Sequence, residues 1–217
     1  MKVGPLVRNM LISGLLLAGF AILGTAIVAW TEDATRERIE LNQRAALLNN
    51  LHALIPPEQH DNDLYEDQIR VRAPDHLGSP YPLPVYRARR DGRPLAAILT
   101  TVAPDGYSGP IRLLVAVNYD GTLAGVRVLN HRETPGLGDA IEVSRSDWIH
   151  EFEGKSLRNP PPEDWRVKRD GGVFDQFTGA TITPRAVVGA VRRTLVYFQA
   201  HREELFAKAE PDTDTDS

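Results

Sequence analysis

The sequence predicts an α+β protein: a single N-terminal transmembrane helix, then one antiparallel-sheet domain flanked by helices. Three observations predict it. Residues 9–31 contain no charged side chain, enough apolar length for the ~20 residues a bilayer crossing needs. Two Asp-Gly pairs, Asp91-Gly92 and Asp120-Gly121, each separate β-prone segments, which is a strong hairpin signal. Near the C-terminus Val187, Val188, Val191, Leu195 and Phe198 recur at helical spacing.

The span comes first. Its core, residues 10–30, ends on Trp30, an aromatic suited to the far membrane interface. Lys2 and Arg8 precede it, whereas Glu32 and Asp33 come first beyond it, so the N-terminus is expected in the cytoplasm and the rest outside. The apolar run exceeds the ~7–15 residues of a signal-peptide core, which favours a retained anchor in membrane lipid over a cleaved leader. Residues 1–31 therefore form a first segment.

Residues 32–83 form the second, a juxtamembrane helix and linker. Ile39, Leu47, Leu48, Leu51 and Leu54 make a partial apolar stripe, and Pro56-Pro57 stops it. The helix is expected to continue the span outward and then dock on the domain. Residues 60–81 read as a polar loop. His60, Asp61, Asp63 and Glu66 lie close together there without a recognised ligand spacing, so no metal site is expected.

Residues 84–209 form the domain proper. Strands are expected over 85–89, 95–102, 111–118 and 123–130, and a helix over 140–148 with Trp148 and Phe152 as core anchors. An edge strand is expected over 165–168, and a last helix runs to about Lys208. The sheet is antiparallel, with no G-x-G-x-x-G after a strand and no Walker loop. Residues 210–217 are acidic and apolar-free, the composition of a disordered tail.

Composition narrows the chemistry. The 217 residues carry a net charge of −4, which gives nucleic-acid binding no electrostatic support. With no cysteine there is no disulfide, no Cys-ligated iron–sulfur cluster and no thiol nucleophile. Redox work would need an organic cofactor or a haem with other ligands. No acid/base pair or nucleophile triad is evident, so no catalytic residue is assigned.

Residues 175–184, Asp-Gln-Phe-Thr-Gly-Ala-Thr-Ile-Thr-Pro, read as a tight turn entering the last helix. Thr183 suits the N-cap and Pro184 the first helical position. Thr178, Thr181 and Thr183 thus gather at a helix N-terminus, where unpaired N–H groups favour a phosphate. From these residues alone an anion site and a capped turn without ligand both stay open. Residues 131–138, His-Arg-Glu-Thr-Pro-Gly-Leu-Gly, follow a strand directly and form either a ligand-facing loop or a plain surface turn. Gly106-Tyr107-Ser108-Gly109 is a turn between hairpins.

The wording of these segments adds more. Asp-x-x-Thr-Gly-Ala-Thr resembles the flavinylation motif of the FMN-binding domain shared by the RnfG and NqrC subunits of bacterial membrane redox pumps. His-x-Glu-Thr-Pro-Gly-Leu-Gly and Gly-Tyr-x-Gly resemble that family's other motifs, in the expected order. The resemblance to RnfG covers nearly the whole chain, with Thr178 standing where many members have Ser. It implies FMN joined through its phosphate to Thr181 by a flavin transferase, with Asp175, Thr178, Gly179, Ala180 and Thr183 around the link. Asp175 and Thr178 either brace the turn or, for Asp175, serve the transferase. It implies that His131, Glu133, Thr134, Pro135, Gly136 and Leu137 lie by the flavin ring. Tyr107 packs on either the flavin or the core. It further implies a multi-subunit ion-translocating oxidoreductase of the inner membrane linking NADH and ferredoxin, the FMN domain being periplasmic. The alternatives are a cofactor-free anchored scaffold and a subunit of an NqrC-like complex.

Overall fold

The computed structural model describes residues 4–207. Lys208 and the tail 210–217, where the last helix was expected to end and disorder to begin, lie outside the described residues. The chain divides into two compact units, Met1–Leu47 and Leu48–Ser217.

A single helix, α1 (Pro5–Leu54), runs through the first unit and into the second. The sequence stripe therefore continues the apolar span without a break. An 18-residue window of α1 has a mean hydropathy of 2.3 and none of it is buried, as suits a segment that would face lipid. Arg36 and Glu32, at i,i+4 spacing beyond that window, form an exposed pair. The last turns of α1 belong to the second unit, where Leu51 and Leu54 are buried.

The second unit is built on a five-stranded antiparallel meander. Its strands are β1 (Gln68–Val71), β2 (Leu83–Arg90), β3 (Arg93–Ala103), β4 (Ile111–Asn118) and β5 (Leu123–Asn130). β4 and β5 match the expected bounds, and β2 and β3 extend the expected ones by a residue or two at each end. β1 corrects the reading of residues 60–81 as loop. Four residues are too few to show an alternating pattern, and the strand is held by side chains instead. Asp67, just before it, binds Arg87 Nε at 2.6 Å and Arg89 Nε at 2.9 Å. Both Asp-Gly pairs do turn the chain: Asp91 and Gly92 adopt φ of 52° and 70°, and Gly121 adopts 90°.

Alternation along the strands buries both faces of the sheet. Val85, Ala97, Leu99, Leu113, Val115, Val117 and Val126 join one cluster with Val187, Val188, Val191, Leu195 and Phe198 of α3 (Ile182–Phe206). On the other face Tyr86, Ala96, Ile98, Leu114 and Ala116 are buried outside that cluster. Gly125, paired with Ala116, admits the end of α1 there: a Cβ on it would stand 2.9 Å from Leu54 Cδ2. Between β1 and β2 the chain passes α2 (Pro74–Leu77), a single turn ended by Gly78 in the left-handed region.

Two expectations fail between β5 and α3. Residues 140–148 form no α-helix. Short 3-10 turns, Gly138–Ile141 and Trp148–Phe152, take their place. The intervening loop is tied by its own polar side chains, Ser146 Oγ donating to the Ala140 carbonyl at 2.6 Å, a local bond that competes with a helix. Residues 165–168 form no strand either, only an isolated bridge from Val167 to Phe174. Their apolar residues pack in an aromatic cluster, Trp165 and Phe152 against Phe174 at 5.2 and 4.7 Å between ring centres. Trp148 and Phe152 are buried, as anchors should be.

The arrangement fixes both ends of α3. At its C-terminus Arg87 Nη1 donates to the Ala207 carbonyl at 2.9 Å and Arg89 Nη2 to the Phe206 carbonyl at 3.0 Å. Two guanidinium groups thus meet the negative end of the helix dipole and its otherwise unpaired carbonyls. The helix N-terminus consequently falls at the opposite end of the sheet, beside the β3–β4 loop and the loop that leaves β5.

Candidate functional site

Three segments converge at that end: the β3–β4 loop, residues 131–138 after β5, and the turn entering α3. They enclose a cleft of ≈ 320 Å³, lined by Tyr107, Glu133, Thr134, Leu137, Gly138 and residues 179–183. The three sequence motifs, far apart in the chain, therefore share one concavity.

Glu133 joins them. Its side chain is buried. Oε1 accepts from the Ser108 backbone N–H at 2.9 Å, and Oε2 accepts a short hydrogen bond from the Thr183 hydroxyl. One carboxylate thus binds the β3–β4 loop, its own loop and α3. Gly138 seals the arrangement. A Cβ there would stand 2.9 Å from Glu133 Cβ, Glu133 Oε2 and Thr183 Oγ1, so only glycine lets the chain pass this close.

His131 organises the same loop from behind. The Glu133 N–H donates to its Nδ1 at 3.0 Å, which leaves the ring proton on Nε2, 2.7 Å from Glu142 Oε1. That hydrogen bond holds the Glu142 carboxyl below the usual carboxylate range. His131 does not line the cleft, nor do Pro135 and Gly136, which are exposed on the loop. Gly136 takes a φ of 78°, and the Leu137 and Gly138 N–H groups both bond the Thr134 carbonyl at 3.1 Å. The turn thereby aims Thr134 and Leu137 into the cleft.

The stretch entering α3 differs from expectation in three ways. Thr183 is not the N-cap. The helix begins at Ile182, the Thr181 carbonyl accepts from the Arg185 N–H at 3.3 Å, and Pro184 occupies the third helical position. Pro184 still lies in the first turn, where its missing N–H costs nothing. Thr183 points inward because its hydroxyl goes to Glu133. Second, the Asp175 carboxylate does not brace the turn. It pairs with Lys168 on the surface, while the Asp175 backbone is held by Glu151 Oε2 at 3.1 Å and Trp148 Nε1 at 2.9 Å. Third, the Thr178 hydroxyl is exposed and bonds no described residue. The turn is closed by its backbone, Ala180 N–H to the Phe177 carbonyl at 3.1 Å, with Gly179 at φ 82°.

The three threonines are thereby distinguished. Thr183 is fully buried with its hydroxyl engaged, and Thr178 is outside the cleft. Thr181 is half-buried, in the cleft, at the helix N-terminus. Its Oγ1 accepts one hydrogen bond among the described residues, from Arg169 Nη1 at 3.5 Å. Tyr107 is 68% exposed on the cleft rim and is not part of the buried core. Sequence reasoning missed Gly138, Ile182, Ser108 and Arg169. Gly138 ended a motif already singled out, so its contact was within reach. Ser108 and Ile182 also lie inside segments singled out, whereas Arg169 carries no local signal.

Among the described residues no group of His, Asp and Glu could hold a metal. His60 and Asp63 serve their own loop, Asp63 Oδ1 accepting from the Tyr65 N–H at 2.8 Å, and Asp61 Oδ2 accepts from the Asp91 N–H at 2.6 Å in the β2–β3 turn. A larger groove of ≈ 410 Å³ lies elsewhere, lined by Asp120, Arg158, Phe198 and Arg202 among others. None of the three motifs reaches it, so volume alone does not mark the site.

Comparison with known proteins fits this geometry. Residues 106–196 match the FMN-binding domain family and residues 1–54 the RnfG N-terminal region. The G subunit of the ion-translocating oxidoreductase complex of Pseudomonas aeruginosa strain UCBPP-PA14 is 51% identical over 203 residues, 94% of this chain and 95% of that protein. Its counterpart from Shewanella loihica is 50% identical over 198 residues, covering 91% and 93%. The C subunit of the Na(+)-translocating NADH-quinone reductase of Parabacteroides distasonis superposes with a TM-score of 0.41 at 22% identity, covering 68% of this chain and 69% of that one, a likeness too loose to locate a site. With half its residues shared over nearly the full length of such relatives, and an FMN-binding domain spanning the cleft, the chain belongs to the RnfG family, the G subunits of ion-translocating oxidoreductase complexes.

Proposed function

We propose that this chain carries FMN as a phosphoester on Thr181 and relays electrons within an Rnf-type ion-translocating complex. The observation that carries the reading is the exposure pattern of the threonines. Of the three at the helix entrance, Thr181 alone offers a reachable hydroxyl inside the cleft. The residues fit the group. The helix N-terminus and Arg169 suit a phosphate, and ≈ 320 Å³ lies at the lower end of the range of small-ligand sites. FMN, when bound, supplies the one- and two-electron chemistry that a chain without cysteine lacks.

Attachment needs a second enzyme, a flavin transferase, and a flavin nucleotide with a phosphoanhydride bond. The Thr181 Oγ–P bond forms, the P–O–P bond breaks, the nucleoside monophosphate leaves and the hydroxyl proton passes to the transferase. Asp175, its carboxylate 55% exposed beside the turn, is available to such an enzyme. Leu137 and Tyr107, exposed at the rim, would cover the ring, and the loop braced by His131 and Glu133 would hold them. The charge asymmetry around α1 supports an N-terminus in the cytoplasm and an FMN domain on the periplasmic face of the inner membrane. Electrons would pass between NADH or ferredoxin and partner subunits, with this chain as one station of the translocase.

The test is flavin fluorescence in a denaturing gel after co-expression with a flavin transferase. Thr181→Ala is expected to abolish the band, while Thr178→Ala and Thr183→Ser retain it. Flavin that stays on Thr181→Ala refutes the site. A colourless wild type of unmodified mass refutes the cofactor reading and leaves the anchored scaffold.

A further inference from the structure

We propose that Arg169 is a positioning residue that holds the phosphodiester of the cofactor attached at Thr181. The inference rests on the reading of Thr181 given above. It goes beyond the motif, because Arg169 lies outside the flavinylation sequence, in the 3-10 turn Lys168–Asp170.

The argument is one of charge and commitment. The cations on and beside this turn are Arg166, Lys168, Arg169 and Arg185, of which Arg166, Arg169 and Arg185 all act on the Asp170 carboxylate and only Arg169 bonds Thr181. Lys168 is taken by Asp175, and Arg185 forms a two-pronged pair with Asp170, both contacts at 2.7 Å. Arg169 forms no ion pair with a described residue. Its guanidinium instead reaches Thr181 Oγ1, the atom that would become the ester oxygen, at 3.5 Å. A guanidinium left beside a neutral hydroxyl gains little. Beside a phosphodiester, which keeps a negative charge at physiological pH, it presents a fork that matches two non-bridging oxygens.

The backbone that carries that guanidinium is held in place. The Arg169 N–H donates to Gln176 Oε1 at 3.2 Å, tying the turn to the flavinylation stretch. Asp170, the next residue, ties it to α3 through Arg185. Gly171 closes the turn in the left-handed region, its N–H on the Lys168 carbonyl. Arg169 thus stands between two anchored neighbours with only its side chain free to adjust.

Full-length protein co-expressed with a flavin transferase and purified in detergent supplies the test, read by 31P NMR of the attached group. In Arg169→Ala the phosphodiester resonance is expected to move from its wild-type position, and in Arg169→Lys to return part of the way. The initial rate of attachment in vitro is expected to fall about tenfold in Arg169→Ala, the factor that one charge-assisted hydrogen bond supplies. Lys168→Ala, which removes a cation from the same turn, is expected to leave the resonance in place. An unmoved resonance in Arg169→Ala overturns the proposal whatever the rate, and so does an equal movement in Lys168→Ala. Should Arg169→Ala fold poorly, Arg169→Gln replaces it under the same criteria. Wild-type protein without any attached phosphorus would instead overturn the Thr181 reading, a different outcome from either of these.

Discussion

Truncation of Glu133 is expected to be the most damaging single change at the cleft. Its buried carboxylate accepts from the Ser108 N–H and the Thr183 hydroxyl, and of the two donors the Thr183 hydroxyl is the buried one, with no other hydrogen bond to a described residue. A hydrogen bond to a charged group contributes about 1.5–3 kcal/mol, and a donor left buried and unpaired costs about 1–3 kcal/mol. Glu133→Ala removes one acceptor from two donors, so about 3–5 kcal/mol is expected, allowing for relaxation and non-additivity. That is a large share of the ~5–15 kcal/mol of a typical domain. Glu133→Gln separates chemistry from bulk. Its Oε1 still accepts from Ser108, and its amide meets a threonine hydroxyl that can rotate to accept, so less than about 1.5 kcal/mol is expected. Gly138→Ala attacks the same node sterically, for about 1–3 kcal/mol of overpacking. Urea unfolding of the detergent-solubilised chain, followed by the fluorescence of buried Trp148 and Trp165, measures all three. The reasoning fails if Glu133→Ala costs less than about 1 kcal/mol, or if Gln and Ala cost the same, because the carboxylate would then not be the joint.

Two further outcomes follow from the same structure. Leu54→Ala should cost about 2–5 kcal/mol in that assay, since Leu54 is 5% exposed and fills the space that Gly125 leaves on the sheet. A cost near zero would mean that the end of α1 does not pack there. Glu151 sits between Asp175 and two lysines, and burial, the largest influence, pushes its carboxyl above the usual range. A carboxyl whose folded pKa is raised favours the fold when protonated, so its contribution is complete below the unfolded pKa and is lost as pH rises through the folded one. Glu151→Gln, which still accepts from the Asp175 N–H, should therefore raise the melting temperature at pH 7 and lose that advantage as pH falls towards 4. An advantage that grows on acidification contradicts the assigned cause.

What was legible in the sequence was what repeats. The α3 stripe from Val187 to Phe198, the hairpins at Asp91-Gly92 and Asp120-Gly121 and the 50-residue α1 all declare themselves through period or turn chemistry within a short window. What was hidden depends on a partner distant in the chain. β1 exists because Asp67 meets Arg87 and Arg89, some twenty residues on. The helix expected over 140–148 gives way to two 3-10 turns because Trp148 must reach the Asp175 carbonyl and Phe152 the ring of Phe174. The site divides the same way. Its motifs could be found because each is local, and Gly136 and Gly179 do adopt the positive φ that a turn demands. Their internal roles could not be found, because hydrogen bonding chose them in three dimensions. Thr183 looked like a cap by position and became a donor to Glu133, fifty residues away. Asp175 looked like a brace and found Lys168 instead. Both errors have one cause. A threonine or aspartate beside a helix start has a default partner in its own turn, and the sequence does not reveal that a side chain outside the turn, whether near in the chain (Lys168) or far (Glu133), has taken its place. Arg169 is the converse case, a residue without a motif whose importance rests on which neighbouring cations were already paired.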